Sequence, residues 1–231
     1  MMSRARDFLL DLLFPNRCPL CGKVIKWDME CCDNCIDELP DTGDELCHGC
    51  GNIKEHCQCQ RKKFLFQRCY AAYYYKGTAR SAVLYIKDTK NMFFPRLAAD
   101  KILRDIAMDD FNFKADYVVP VPLSRRKLYT RGYNQSALLG QAIAEKLNIP
   151  MEENAILRCD TIIDQHSLSS VMRSEAAKII YHANEKVDIK GKTIILCDDI
   201  ITTGSTINEC TKVLLDMGAA KVIAAAAATT E

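Results

Sequence analysis

Three things are missing from this chain, and each absence narrows what it can be. Net charge is the first: 31 Lys and Arg stand against 30 Asp and Glu, leaving +1. No overall basic field announces a nucleic-acid binder, although local basic clusters remain. Long apolar runs are the second. No segment approaches the ~18 consecutive apolar residues needed to cross a bilayer. The third is a secretory leader. The opening "MMSRARDFLLDLLFPNRCPLC" is similar to one only in outline, because Asp7 and Asp11 interrupt its apolar run and no small-residue cleavage site follows. It reads as a short amphipathic helix with Phe8, Leu9, Leu12 and Leu13 inward. A cytoplasmic location is expected. With 48% hydrophobic and 26% charged residues in 231, the composition is that of a globular protein of one or two domains.

Cysteine, by contrast, is abundant, and its placement decides its meaning. Of 13 cysteines, nine lie between Cys18 and Cys59, while Cys69, Cys159, Cys197 and Cys210 are scattered through apolar segments. Without a leader, a disulfide scaffold is not expected. The nine fall in "CPLC", "CCDNC", "CHGC" and "CQC". Two thiolates in one tight turn can reach one metal, and two such knuckles make a tetrahedral thiolate site suited to zinc. Gly22 and Gly51 follow the first and third knuckles, where a left-handed backbone is often needed. In the sequential arrangement, Cys18, Cys21, Cys32 and Cys35 hold one zinc, and Cys47, Cys50, Cys57 and Cys59 hold a second. Spacing leaves an interleaved arrangement open, and Cys31 could take the place of Cys32. His48 and His56 could stand in at the second site, but its sulfur count is complete without them. A closed four-thiolate site keeps no open coordination position, so both metals are expected to be structural, stapling a segment too small for its own core.

The chain therefore divides into a helix with a double zinc ribbon, residues 1–63, and a Cys-poor body, residues 64–231, with "RKK" at the junction. In the body, "FQRCYAAYYYKG" has strand character. "TARSAVLYIKDTK" and "FFPRLAADKILRDIAM" have helical periodicity, with Val83, Leu84, Ile86, Leu97, Ile102, Leu103 and Ile106 inward. "ADYVVPVPLS" is a short buried strand, and "NQSALLGQAIAEKLNIP" a helix with Leu138, Leu139, Ala142, Ile143 and Leu147 on its inner side, ended by Pro150. "TIILC" is a buried strand, and "TINECTKVLLDMGA" a helix stopped by Gly218. Alanines alone favour helix, but the position of "KVIAAAAATT" after a helix and a glycine suggests a returning parallel strand. Strands alternating with helices predict an α/β fold, a parallel sheet with helices on both faces.

The densest chemistry lies in "ILCDDIITTGSTINE". Ligands of open α/β sheets bind beyond the carboxyl ends of strands. The loop from Thr202 to Thr206 would turn main-chain N–H groups inward at a helix N-terminus, which makes a hole for a phosphate. Gly204 lets the backbone approach closely, and the hydroxyls of Thr202, Thr203, Ser205 and Thr206 add donors. Two carboxylates beside such a cradle would repel the phosphate itself. Asp198 and Asp199 suit instead the hydroxyls of a ribose whose 5′-phosphate sits in the loop. A helix cap with acidic residues near the dipole accounts for one hydroxyl and one carboxylate, not the whole string.

The string resembles the phosphoribosyl-pyrophosphate (PRPP) motif of type I phosphoribosyltransferases. More narrowly, "LLFPNRCPLCG", the doubled ribbon, "YYYKGTARSAVLYIKD", "VVPVPLSRRKLYTRGYNQSALL" and the terminal motif, in that order, resemble the ComF family of competence-associated proteins. The resemblance implies a type I phosphoribosyltransferase fold, with Asp198 and Asp199 on the ribose 2′ and 3′ hydroxyls and Thr202, Thr203, Gly204, Ser205 and Thr206 on the 5′-phosphate. It places a pyrophosphate-binding loop in "PVPLSRRKLYTRGYNQ", with Arg125, Arg126, Lys127 and Arg131 as its cations and Asn134 and Gln135 beside them. It makes residues 159–176 a hood loop between two strands, with Gln165, Leu168 and Arg173 matching the family pattern and no role required of His166. Asp198, Asp199 and Arg131 are the residues implied to be catalytic, with Mg²⁺ bound alongside PRPP.

Two functions follow as expectations. The first is a PRPP-binding protein of natural transformation that handles single-stranded DNA, with competence proteins such as a DNA-translocating helicase as partners. The second is an active phosphoribosyltransferase that moves ribose 5-phosphate from PRPP to a nitrogenous base or related acceptor in salvage or repair. The chain starts Met1-Met2, so the N-terminal cysteine nucleophile of the amidotransferase relatives is not expected. Cys197 stands where relatives often carry a branched aliphatic and reads as core packing.

Overall fold

A computed structural model describes residues 15–26, 28–159 and 181–230. The expected amino-terminal helix, with Phe8, Leu9, Leu12 and Leu13, lies outside them, as do Gln165, His166, Leu168 and Arg173.

Four parallel strands form the central sheet: β1 (Arg68–Tyr74), β2 (Tyr117–Pro120), β5 (Thr193–Ile201) and β6 (Lys221–Thr229), in the spatial order β1-β6-β5-β2. They read as nearly continuous apolar runs because both faces are covered. Side chains alternate along β5: Ile195 and Cys197 enter one core cluster, Ile194 and Leu196 the other. The first cluster lies under helices α2 (Gly77–Tyr85), α3 (Phe93–Met108) and α5 (Gln135–Leu147). The second is covered by α6 (Ser205–Asp216) and by the antiparallel pair β3 (Ile156–Arg158) and β4 (Tyr181–Ala183). The alanines of β6 are a strand as expected: flanked by β1 and β5, Ala224, Ala225 and Ala226 are fully buried. Position between two ladders outweighs their helix preference.

Several local expectations need correction. In α2 the buried side is Ala79, Ala82 and Val83, with Ile86 following, whereas Leu84 is 40% exposed. Leu147, at the last position of α5, is likewise exposed. That helix ends before Pro150, at Asn148, which takes a left-handed conformation (φ 52°). The basic segment placed in a loop is a helix, α4 (Arg125–Arg131), capped by Ser124, whose side chain accepts from the Lys127 amide, and ended by Gly132 at φ 79°. Its charges carry no apolar period, so nothing in the pattern marked it. Strand β5 runs through the acidic pair to Ile201, four residues beyond "TIILC".

The Cys-rich head, which includes the short helix α1 (Asp33–Asp37), packs along the outer edge of β1. The amide of Cys69 donates to the His48 carbonyl at 2.7 Å, that of Tyr74 to the Pro40 carbonyl at 2.8 Å, and Thr42 Oγ1 to the Ala71 carbonyl at 2.8 Å. Thr229 Oγ1, at the end of β6, donates to the Gly51 carbonyl at 2.7 Å. An open strand edge is a template for unwanted pairing, and here the ribbons cover it. Among the described residues no helix is long and apolar enough to cross a membrane.

Candidate functional site

Strands β2 and β5 are hydrogen-bonded neighbours running in the same direction, so their carboxyl ends open onto one rim. Beyond β2 the chain turns through Pro122 into α4 and α5; beyond β5 it turns through residues 202–204 into α6. The cleft between them has a volume of about 710 Å³. Asp198, Asp199, Ser205, Thr206, Lys127, Arg131, Asn134 and Gln135 line it together. This is the crevice outside the carboxyl ends of strands where open α/β sheets take their ligands.

Asp198 is 9% exposed, and Asp199 is half-buried beside it. Ser136 Oγ donates to Asp198 Oδ1 at 3.0 Å, and the Asp199 amide donates to the same oxygen at 2.9 Å. Burial, reinforced by the neighbouring Asp199 charge, pushes the Asp198 carboxyl up to about 8, and the two donors only partly offset this. A carboxyl held near neutrality in a cleft is a group whose proton a cationic ligand can displace.

The loop after β5 is compact. Gly204 adopts φ 67° as the N-cap of α6, and no side chain caps that helix. The first-turn amides of α6 are therefore left for another acceptor. Thr202, Gly204, Ser205 and Thr206 line a small recess of about 20 Å³ there, next to Asp198, at the place where the sequence predicts an anion nest. Thr203 is exposed, and its Oγ1 lies 3.0 Å from Ser205 Oγ.

On the opposite wall, Asn134 uses both ends of its amide internally. Its Oδ1 accepts from the Ser136 amide at 3.2 Å as the N-cap of α5, and its Nδ2 donates to the Val121 carbonyl at 2.9 Å. It fixes where α5 begins. Gln135, 2% exposed, differs: its Nε2 has no hydrogen-bond partner although it lines the cleft. A buried donor without an acceptor is costly unless a ligand supplies one. Arg125 faces a neighbouring cavity of about 450 Å³ rather than this cleft.

Several cleft residues escaped the sequence reading. Arg158 and Tyr181 enter from β3 and β4, with the guanidinium 5.7 Å from the tyrosine ring centroid. Burial pushes the Tyr181 phenol up to about 12. Lys87 comes from the segment after α2, and Glu209 from α6. Lys87 and Glu209 lie at or near the ends of strings already quoted, but no role was read for either, and Arg158 and Tyr181 lie outside any motif. Only the expectation that two strands bracket the hood pointed toward Arg158 and Tyr181.

The sulfurs sort as the sequential arrangement predicts. Cys18, Cys21, Cys32 and Cys35 form one group, Cys47, Cys50, Cys57 and Cys59 the other, each with ligand atoms within 4.8 Å of one another. Zinc–sulfur bonds of ~2.3 Å in a tetrahedron put sulfurs about 3.8 Å apart. Observed separations are 3.6 Å for Cys21–Cys32, 3.5 Å for Cys18–Cys32, 3.8 Å for Cys47–Cys59 and 3.9 Å for Cys50–Cys57, so the residues fit the metal. Cys31 sits outside the first group, its Sγ 3.4 Å from that of Cys18. His48 is occupied elsewhere, with Nδ1 3.1 Å from the Cys69 carbonyl. Gly22 and Gly51 take φ 72° and 77°, the left-handed turns expected after the knuckles.

Known proteins share both parts. Residues 9–71 match the double zinc ribbon domain family, and residues 133–230 the phosphoribosyl transferase domain family. Competence protein F of Haemophilus influenzae is 28% identical over 89% of this chain and 81% of its own length. DNA utilization protein YhgH of Salmonella typhimurium is 28% identical over 89% of this chain and 86% of its own. Competence protein ComFC of Streptococcus pneumoniae is 25% identical over 89% and 96%. Among solved structures, a glutamine PRPP amidotransferase from B. subtilis is similar over 58% of this chain and 25% of that one, at 19% identity and a TM-score of 0.38. A double zinc ribbon ahead of a phosphoribosyl transferase domain, with competence-named relatives along most of its length, is the arrangement that makes the chain similar to the ComF family.

Proposed function

We propose that this protein binds PRPP with Mg²⁺ in the cleft between β2 and β5 and acts in DNA uptake by handling single-stranded DNA, alongside competence proteins such as a translocating helicase. The observation that carries the ligand reading is the convergence, on one rim, of an acidic pair whose buried member, Asp198, is held near neutrality, an uncapped helix N-terminus and an unpartnered buried amide. In this reading Asp198 and Asp199 hold the ribose diol. Thr202, Thr203, Gly204, Ser205 and Thr206 hold the 5′-phosphate. Arg131 and Lys127 face the pyrophosphate, and Gln135 gives its free Nε2 to a ligand oxygen. The carboxylates offer the hard oxygen donors Mg²⁺ prefers, and the ion, when bound, neutralises charge on the pyrophosphate.

The DNA reading rests on the relatives' names and on α4. Arg126 and Lys127 are exposed there beside Tyr129, which is 92% exposed, so cations and an aromatic share one short helix. Single strands are bound by such combinations, the backbone by charge and the bases by stacking.

The intact acidic pair also favours a second reading, an active phosphoribosyltransferase. The ribose–pyrophosphate C–O bond would break with its electrons leaving on pyrophosphate. A nitrogen lone pair of the acceptor would form the new bond through an oxocarbenium-like transition state, its proton passing to solvent.

Calorimetric titration with Mg²⁺ and PRPP, and anisotropy with single-stranded DNA at two salt concentrations, test the proposal. Asp199→Asn is expected to abolish the PRPP heat and leave DNA binding intact. Absence of DNA binding at low salt would remove the DNA reading, and release of pyrophosphate with a base would establish the enzyme.

A further inference from the structure

The loop that follows β5 is gripped by the zinc head. Lys62 lies three residues beyond Cys59, the last thiolate of the second ribbon. A turn fixes its backbone, with the Arg61 and Lys62 amides both donating to the Gln58 carbonyl, at 2.9 and 2.8 Å. From there its ammonium reaches 2.9 Å from Ser205 Oγ and 3.3 Å from the Thr203 carbonyl, across 143 and 141 residues of sequence. Phe64 holds the arrangement from the side. Its ring centroid is 5.2 Å from the Lys62 ammonium, and its edge lies 3.0 Å from where a Cβ on Gly204 would stand. Leu65 completes the clamp, its amide donating to Asn208 Oδ1 on α6 at 2.7 Å.

An ammonium carries three donors. Two are directed at the loop's own oxygens, and a third remains. The group touches the very hydroxyl, Ser205, that lines the anion recess. A positive charge held against an anion nest strengthens it.

We propose that Lys62 is a binding residue for the sugar's terminal phosphate, delivered by the second zinc ribbon, so that this ribbon forms part of the ligand site. The inference rests on the proposed PRPP site and names the chain segment that completes it. The ribbon fixes Cys59, Cys59 fixes the turn, and the turn sets the ammonium on the loop.

The test uses the full-length, zinc-loaded protein and two small probes, ribose 5-phosphate and inorganic pyrophosphate, titrated by calorimetry. Lys62→Met is expected to weaken ribose 5-phosphate about tenfold and to leave pyrophosphate unchanged. Lys62→Arg is expected to keep affinity within about threefold, because the charge persists. Lys63→Met, on the exposed neighbour, is expected to behave as wild type. Zinc content and melting temperature, measured on each variant, are expected to stay at wild-type values. Ribose 5-phosphate binding by Lys62→Met at wild-type strength overturns the inference while leaving the site standing. Equal weakening of both probes assigns Lys62 a merely structural role and also overturns it. Failure of the wild-type protein to bind either ribose 5-phosphate or PRPP overturns the site reading, and the inference with it.

Discussion

Ser136 Oγ donates to Asp198 Oδ1 at 3.0 Å, linking the first turn of α5 to the end of β5 beneath the cleft. The bond joins residues 62 apart in sequence, and it acts on a carboxyl that burial lifts from 3.8 to about 8. Stability should therefore depend on pH in a definite direction. Below 3.8 the group is protonated in folded and unfolded chains alike, and its contribution is fully present. Between 3.8 and about 8 the unfolded chain loses the proton more readily, so stability falls as pH rises through the folded value. Asp198→Asn removes this dependence. It is expected to raise the melting temperature at pH 8.5 by roughly 2–8 °C, for about 1–2 kcal/mol, and to change it little at pH 5. Thermal melts of the two proteins at both pH values decide this.

The same carboxyl should give up its proton when a magnesium-loaded ligand binds. At pH 7 the heat of PRPP binding is expected to vary with the ionisation enthalpy of the buffer, with a slope near one proton released. Comparing phosphate and Tris titrations measures it.

Glycine substitutions separate backbone strain from crowding. Gly22, Gly51 and Gly204 all have positive φ, but their surroundings differ. A Cβ at Gly22 meets nothing within 4 Å, whereas one at Gly51 would stand 2.5 Å from Cys69 Sγ and one at Gly204 would stand 3.0 Å from Phe64. Gly22→Ala is expected to lose only the left-handed cost of about 1–2 kcal/mol. Gly51→Ala is expected to lose more, and Gly204→Ala also to weaken PRPP at least tenfold. Urea melts and calorimetry give both quantities.

Native mass spectrometry is expected to count two zinc ions per chain. Cys32→Ser should lose one and Cys31→Ser none, because Cys31 stands outside the first thiolate group. Chelation should expose the outer edge of β1 and promote aggregation, since the Cys69 and Tyr74 amides lose the acceptors that the head provides. Light scattering after chelator addition checks it.

Tyr129→Ala is expected to weaken single-stranded DNA binding by about 1–3 kcal/mol with an unchanged salt slope, as loss of a stacking surface does. Arg126→Ala should instead lower that slope by about 0.7. Anisotropy titrations across a salt series distinguish the two effects.

Local pattern settled a great deal here. Cysteine spacing marked the four thiolate knuckles because each is made within one turn of chain, while their pairing into two groups, and the choice of Cys32 over Cys31, came from the folded chain. The β5–α6 unit was legible because an apolar run, an acidic pair and a glycine-bearing hydroxyl string follow one another without a gap. Even the alanine strand β6 could be read from its place after a helix and a turn. Only tertiary structure decided the rest. Helix α4 depends on the Ser124 cap and the Gly132 stop rather than on any apolar period. Asn134 is consumed in positioning, with its Nδ2 on the Val121 carbonyl just past β2, while the Nε2 of Gln135 beside it is left without a partner. Arg158, Tyr181 and Lys62 reach the rim from distant segments. Spacing along a chain specifies contacts made within a few residues. Which remote charge meets which loop is fixed only when sheet register and head packing bring them into one volume.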